Sequence, residues 1–275
     1  MAVVSALRRT PGALLRNPVL FVPVLVLTLI QVPQLAAQAV DPFLAAVVSL
    51  LMMGVFVFVV PFFQGGVIGM ADEALDGRTS LGRFVDAGRS NYVSLFGAYV
   101  AVLAVNLVLG VITAVLFVGA GALVFANGGA GSPVAALGAL AIVGLVVALA
   151  YLLFAFFVQF YGQAIVLEGV GAIDGLKRSA SVVRHSLASV LGYTVLVGVV
   201  MGTAGVLFGI GSVLLAPDPR TSVGMATPSA TAVAILAVVL FVVGTVFGAF
   251  FATYSVAFYR AITGREPTRP PGMEP

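Results

Sequence analysis

The chain divides into two kinds of stretch: long apolar runs without a charged residue, and short segments where arginines and carboxylates gather. The first apolar run is Pro18 to Val40, interrupted by Pro23 and Pro33, and Asp41-Pro42 turns the chain into a second, Phe43 to Met70. A third extends from Val93 to Ala126, and the uncharged loop from Asn127 to Pro133 leads to a fourth, which reaches Leu167. The fifth covers Ala188 to Leu215, and a loop opening on Pro217-Asp218-Pro219-Arg220 precedes the sixth, Ala230 to Phe258. Several runs exceed the roughly 18 apolar residues that cross a bilayer, and none alternates as a barrel strand would. A helix satisfies its own backbone in lipid, so the pattern predicts six transmembrane helices.

The polar segments are amphipathic. Leu7, Pro11, Leu14 and Pro18 share a helical stripe, as do Leu81, Val85, Gly88 and Tyr92, and Leu176, Ala180, Val183 and Leu187. Each such helix, or elbow, is expected to lie in the membrane interface with its cations at the headgroups. The elbows also repeat. A shift of 95 residues sets Phe62 on Phe157, Gln64 on Gln159, Glu73 on Glu168, Arg83 on Arg178 and Arg89 on Arg184. A shift of 74 sets Leu7 on Leu81, Arg9 on Arg83 and Asn17 on Asn91, which makes the amino terminus a weaker third copy. The fold class is an all-α integral membrane protein with six transmembrane helices, built as three elbow-helix/span/span repeats. In one membrane domain, residues 1–17 form the first elbow, 18–70 spans one and two, and 72–92 the second elbow. Residues 93–167 form spans three and four, 168–187 the third elbow and 188–258 spans five and six. The Pro-rich segment 259–275 is expected to be a disordered cytoplasmic tail.

Composition agrees: 61% of residues are hydrophobic and 8% charged. Of 13 Lys and Arg, Arg220 alone falls in the loops after spans one, three and five. The positive-inside rule then puts elbows and both termini in the cytoplasm and the chain in the cell membrane. A secretory signal, with Arg8-Arg9 before an apolar region and Ala37-Gln38-Ala39 as cleavage site, is the competing reading of the first run. Cysteine is absent and His185 is the single histidine, so neither a thiolate nor a His-rich metal centre is expected, and no cofactor is implied. A net charge of +3 calls for no nucleic acid.

Glu73 and Glu168 each follow a span, where a carboxylate can pair with an elbow arginine, Arg83 or Arg178, or sit near a helix amino terminus. Gln64 and Gln159 lie nine residues earlier, about 13 Å along a helix. The two Gln-and-Glu pairs either line a polar pocket open to the cytoplasm or serve as interhelical hydrogen bonds and salt bridges. Arg89, Lys177 and Arg184 are candidate contacts for anionic lipid. Against that reading, the elbows would only enforce topology and cap the bundle. Gln31, Gln34 and Gln38 share a stripe that lines an opening or packs on another span, and Asn106 reads as interhelical glue. Gly198/Gly202 and Gly244/Gly248 are small-residue pairs that allow helices to approach. No ionisable group lies mid-span, as a coupled transporter needs, and no phosphate loop, HExxH or carboxylate pair with a base is present.

Glu168-Gly169, then Leu176-Lys177-Arg178-Ser179 and Val183-Arg184, resembles the E-G…A-L-K-R-S-W-x-L-x-R signature of a large group of uncharacterised prokaryotic membrane proteins. These are similar to the membrane domain that accompanies some glycerophosphodiester phosphodiesterases. Gly175 stands where the group usually has Ala, and Ala180 where it usually has Trp. The resemblance implies six helices with re-entrant or interfacial elbows. It implies no hydrolase activity, because in those enzymes catalysis belongs to a separate soluble barrel. The expected function is non-enzymatic: organising membrane lipids, or a membrane-protein partner, through the cytoplasmic elbows. The alternative is permease-like passage of a lipid or amphiphile through a cleft between repeats.

Overall fold

The computed structural model describes residues 2–34, 37, 41–126, 133–215 and 229–265. Among these there is no strand. Apart from a short helical piece at 32–34, the α-helices are, in chain order, α1 (Ala2–Arg16), α2 (Phe21–Leu29, entered through a 3-10 turn at Pro18–Leu20), α3 (Pro42–Asp76), α4 (Leu81–Ser90), α5 (Tyr92–Ala126), α6 (Pro133–Val158), α7 (Tyr161–Glu168), α8 (Ala172–His185), α9 (Leu187–Leu215) and α10 (Ala230–Thr263). Four stretches are long and apolar enough to cross a membrane: Phe43–Asp76, Tyr92–Gly119, Leu140–Glu168 and Val238–Thr263. The count rises to six if each of two bent pairs is one span. Those pairs are Ala2–Arg16 with Pro18–Gln34, bent by 98°, and Ala172–His185 with Leu187–Thr203, bent by 102°.

Local chemistry sets the helix ends. The Asp41 carboxylate accepts from the Leu44 amide at 2.8 Å, with Pro42 in the first turn of α3, where its missing N–H costs nothing. No glycine or proline stands between Met70 and Gly77, so α3 carries on through Asp72, Glu73 and Asp76. The second elbow helix therefore starts only at Leu81, where the Ser80 hydroxyl accepts from the Arg83 amide at 3.4 Å. Gly169, at φ 68°, takes the left-handed conformation that ends α7 and turns the chain into α8. At the far end the expected tail is corrected: residues 259–263 continue α10, because nothing breaks the helix before Gly264. Residues 266–275, the loops around Asn127 and Arg220, Gln38 and most of the Ala37–Ala39 triplet lie outside the described residues.

The elbow helices bury a face one position removed from the expected stripes. Of the stripe residues, Leu14, Gly88 and Val183 are buried, whereas Pro11, Leu81 and Leu187 are exposed. The inward face is instead Ala6, Thr10, Ala13 and Leu14 in α1, Phe84, Ala87 and Gly88 in α4, and Gly175, Ser179, Val182 and Val183 in α8. Close approach decides this, since small side chains let two helices meet. A Cβ on Gly66 would stand 2.3 Å from Phe84 Cδ2, and one on Gly69 would stand 2.3 Å from Ala87 Cβ. Gly248 meets Val24 in the same way, but Gly198 and Gly202 face open space.

Burial concentrates where the elbows pack. Phe160, Tyr193, Tyr254, Phe258 and Tyr259 form an aromatic stack, with the Tyr193 and Phe258 rings 4.5 Å apart. Leu14, Leu20, Met70, Ala74, Phe84 and Ala249 form a second cluster. Away from this end the helices expose apolar side chains such as Leu107, Val111, Val115, Leu145 and Val242, as lipid-facing surfaces do.

Candidate functional site

Glu168 closes the elbow end of the bundle. Its Oε2 accepts from Arg178 Nε at 2.8 Å and its Oε1 from the Tyr259 hydroxyl at 2.7 Å, so one carboxylate joins α7, α8 and α10. The bond to Glu168 raises the Arg178 guanidinium above its ordinary value, and the cation is permanent. One residue further along α8, buried Ser179 donates to the Phe157 carbonyl at 2.8 Å and accepts from the Phe160 amide at 3.1 Å. It satisfies two of the backbone groups freed by the break between α6 and α7.

Glu73, which the shift of 95 residues aligns with Glu168, behaves differently. Glu73 accepts from Thr79 Oγ1 at 2.7 Å in an exposed setting, and among the described residues no ion pair joins it to Arg83. Its place is taken by Asp72 and Asp76, which meet Arg260 of α10. Arg260 Nη2 lies 2.8 and 3.0 Å from the Asp76 oxygens, and Nη1 donates to the Asp72 carbonyl at 3.1 Å. Nη1 also lies 3.4 Å from Asp72 Oδ1. Arg265 Nη1 donates to the Leu167 carbonyl, adding a second tie from the end of α10 to α7.

The glutamines separate likewise. Gln159 donates to the Phe156 carbonyl at 2.9 Å and accepts from Thr194 at 3.3 Å. Gln64 accepts from the Tyr161 hydroxyl at 3.0 Å, and buried Gln163 donates to Ser255 Oγ at 3.0 Å. These four, Gln64, Tyr161, Gln163 and Ser255, are the polar wall of an open cleft of about 410 Å³ between α2, α3, α7 and α10. The rest of its lining is apolar. Gln31 is exposed and Gln34 donates to Ser49 at 3.1 Å, so neither reaches the cleft.

The remaining elbow cations point outward. Arg83, Arg89, Lys177 and Arg184 are exposed. Lys177 lies 3.7 Å from Asp174, a surface pair of little weight. The Arg184 guanidinium sits 5.6 Å from the centre of the Phe157 ring. His185 is exposed and its Nδ1 donates to the Ser181 carbonyl at 2.8 Å. Asn106 bonds within its own helix, but its carbonyl accepts from the Tyr151 hydroxyl at 3.1 Å across to α6. Among the described residues no three His, Cys, Asp or Glu side chains are grouped to hold a metal ion.

Residues 1–262 match the family model described as a domain of unknown function, DUF7847. The chain belongs to the DUF7847 family. No curated protein and no solved structure matches it. Sequence reasoning about this DUF7847 chain named Glu168 and Arg178, which the structure brings together, and Gln64, which it puts in the cleft. It passed over Gln163, Tyr161, Tyr259 and Arg260. Gln159 and Gln163 are four apart and would share one face of an unbroken helix, but the break at Gln159-Phe160 sends them to different neighbours. The available signal for Arg260 was the spacing of Asp72 and Asp76, which puts two carboxylates on one helical face awaiting a cation.

Proposed function

We propose that this DUF7847 protein is a non-enzymatic, six-span protein of the cell membrane that gathers anionic lipid, or a membrane-protein partner, at three cytoplasmic elbows. One observation carries the reading. Under the shifts of 74 and 95 residues, Thr10, Ala13 and Leu14 correspond to Phe84, Ala87 and Gly88, and these to Ser179, Val182 and Val183. All nine are buried. The same register in each elbow supports the threefold repeat, and it turns Arg8, Arg9, Arg16, Arg83, Arg89, Lys177 and Arg184 outward. Asn17 and Asn91 strengthen the correspondence: each donates to the carbonyl four residues back, Ala13 at 3.0 Å and Ala87 at 2.9 Å.

A bent helix pair places each of the first and third elbows across the direction of the span that follows, which is the posture of an interfacial helix. With cations on its outer side, such a helix attracts anionic headgroups, and salt weakens the attraction. The permease-like alternative calls for a polar-lined cavity joining Gln64, Gln159 and the Gln31 stripe; the cleft at Gln64 is lined by neither Gln159 nor Gln31, which favours the organiser. The resemblance of the third elbow to the membrane domain found beside phosphodiesterases fits the same non-catalytic part. Native mass spectrometry of the purified protein tests the reading: bound lipid should be enriched in phosphatidylglycerol over the host membrane at low salt. Bound lipid of host composition would contradict it.

A further inference from the structure

An apolar groove opens beside the first elbow. Leu7 of α1, Leu196 and Val200 of α9, and four residues of α10 from Val246 to Phe251 enclose about 380 Å³, and every one of them is hydrophobic. Leu196 and Val200 lie nine and thirteen residues beyond Leu187, which opens α9 at the elbow end, and Phe251 and Val246 lie nine and fourteen before Arg260. At 1.5 Å per residue both walls therefore run from about 13 to about 20 Å along their helices, at matching depth. The Tyr254 hydroxyl donates to the Val3 carbonyl at 3.4 Å and holds α1 against α10 one turn before Leu7. Arg8, the next residue, is exposed, and with Val4, Ser5 and Arg9 it borders an open recess at the surface.

We propose that one acyl chain of an anionic diacyl phospholipid lies in this groove while its phosphate stands at Arg8. The inference rests on the elbow reading and names a place where a single lipid is held. Lining, size and charge choose the occupant. The groove presents no polar side chain, so it offers hydrocarbon contact alone, which suits a run of methylenes. A second helix does not fit: one turn, about 10 Å across and 5.4 Å long, occupies about 400 Å³, more than the groove holds. The cation beside Leu7 favours a phospholipid of net negative charge over zwitterionic phosphatidylcholine.

The test uses the full chain in mixed phosphatidylglycerol and phosphatidylcholine nanodiscs, where one lipid or the other carries a photoactivatable diazirine in its acyl chain. Labelled peptides are read by mass spectrometry at 246–251 and, for reference, at 107–115, an exposed apolar stretch of α5. Relative to that reference, the phosphatidylglycerol probe should label 246–251 at least about fivefold more than the phosphatidylcholine probe, the effect of one headgroup cation. Arg8→Gln should remove the preference. Val200→Trp, at a half-buried position, fills the groove and should cut labelling of 246–251 about fivefold. The ratio of the two lipids retained on the purified Val200→Trp protein should stay near that of wild type, because the elbow cations are intact. Equal labelling of 246–251 by the two probes in wild type, or undiminished labelling in Val200→Trp, overturns the proposal. The retained ratio judges the elbow reading separately. Enrichment of phosphatidylglycerol without preferential labelling of the groove rejects the groove alone, and preferential labelling without enrichment rejects the elbow reading alone.

Discussion

Arg260 Nη2 lies 2.8 and 3.0 Å from the two carboxylate oxygens of Asp76, 184 residues away in sequence. The contact ties the last turn of α10 to the last turn of α3, and the Arg260 side chain is 11% exposed. Arg260→Ala would leave Asp72 and Asp76 facing each other at one helix end. The expected loss is about 1–2 kcal/mol, because Asp76 is half exposed and solvent screens the pair. Arg260→Lys should recover little of it, since an ammonium lacks the planar fork. Thermal unfolding in detergent checks both.

Glu168 and Glu73, which the shift of 95 residues aligns, should respond unequally. Glu168→Gln breaks a charged bond that joins α7 to α8 and leaves Arg178 unpaired, at a cost of about 1 kcal/mol. Glu73→Gln touches an exposed carboxylate bonded to Thr79, and unfolding should barely move. The comparison of the two midpoints in one detergent decides it.

Ser179 is the third position to examine. Its hydroxyl serves the Phe157 carbonyl and the Phe160 amide, and it is fully buried. Ser179→Ala leaves both without that partner and should cost about 1–3 kcal/mol. Faster hydrogen exchange at Phe160, with exchange in α4 unchanged, would locate the effect at the break between α6 and α7.

These sites also mark how far the sequence could be read. Apolar runs without charge are visible at any register, so the membrane class followed from hydropathy alone. The elbows were visible because charged residues are scarce in this chain, at 8%. Their buried face was not, because Ala6, Ala13, Ala87 and Gly88 are buried by small size and close approach, which a stripe of large apolar residues does not report. The break at Gln159-Phe160 carries no glycine or proline; it is held open by Ser179 from another helix. Arg260 looked like part of a tail because its carboxylates lie at the far end of the sequence. Gln163 stands four residues after Gln159, and only the break between them gives the two different neighbours.

Orientation is open to chemistry. A cysteine replacing Ser90, exposed at the end of α4, should resist an impermeant thiol reagent in intact cells, and a cysteine replacing Ser132 should react. The absence of native cysteine gives a clean background. Labelling at position 90 with protection at 132 would invert the protein in the membrane and remove the elbows from the anionic inner surface.

The central claim rests on the outward elbow cations. Its most direct measurement is the ratio of phosphatidylglycerol to phosphatidylcholine retained by wild type and by the variant carrying Arg83→Gln, Arg89→Gln and Arg184→Gln, at low and at high salt. None of the three makes an ion pair among the described residues, and the contact of exposed Arg184 with the Phe157 ring is worth at most about 1 kcal/mol, so the variant should unfold close to the wild type. The account predicts a ratio at least about fivefold lower in the variant at low salt, with the difference shrinking at high salt. An unchanged ratio at low salt, in a variant that unfolds like the wild type, would contradict it.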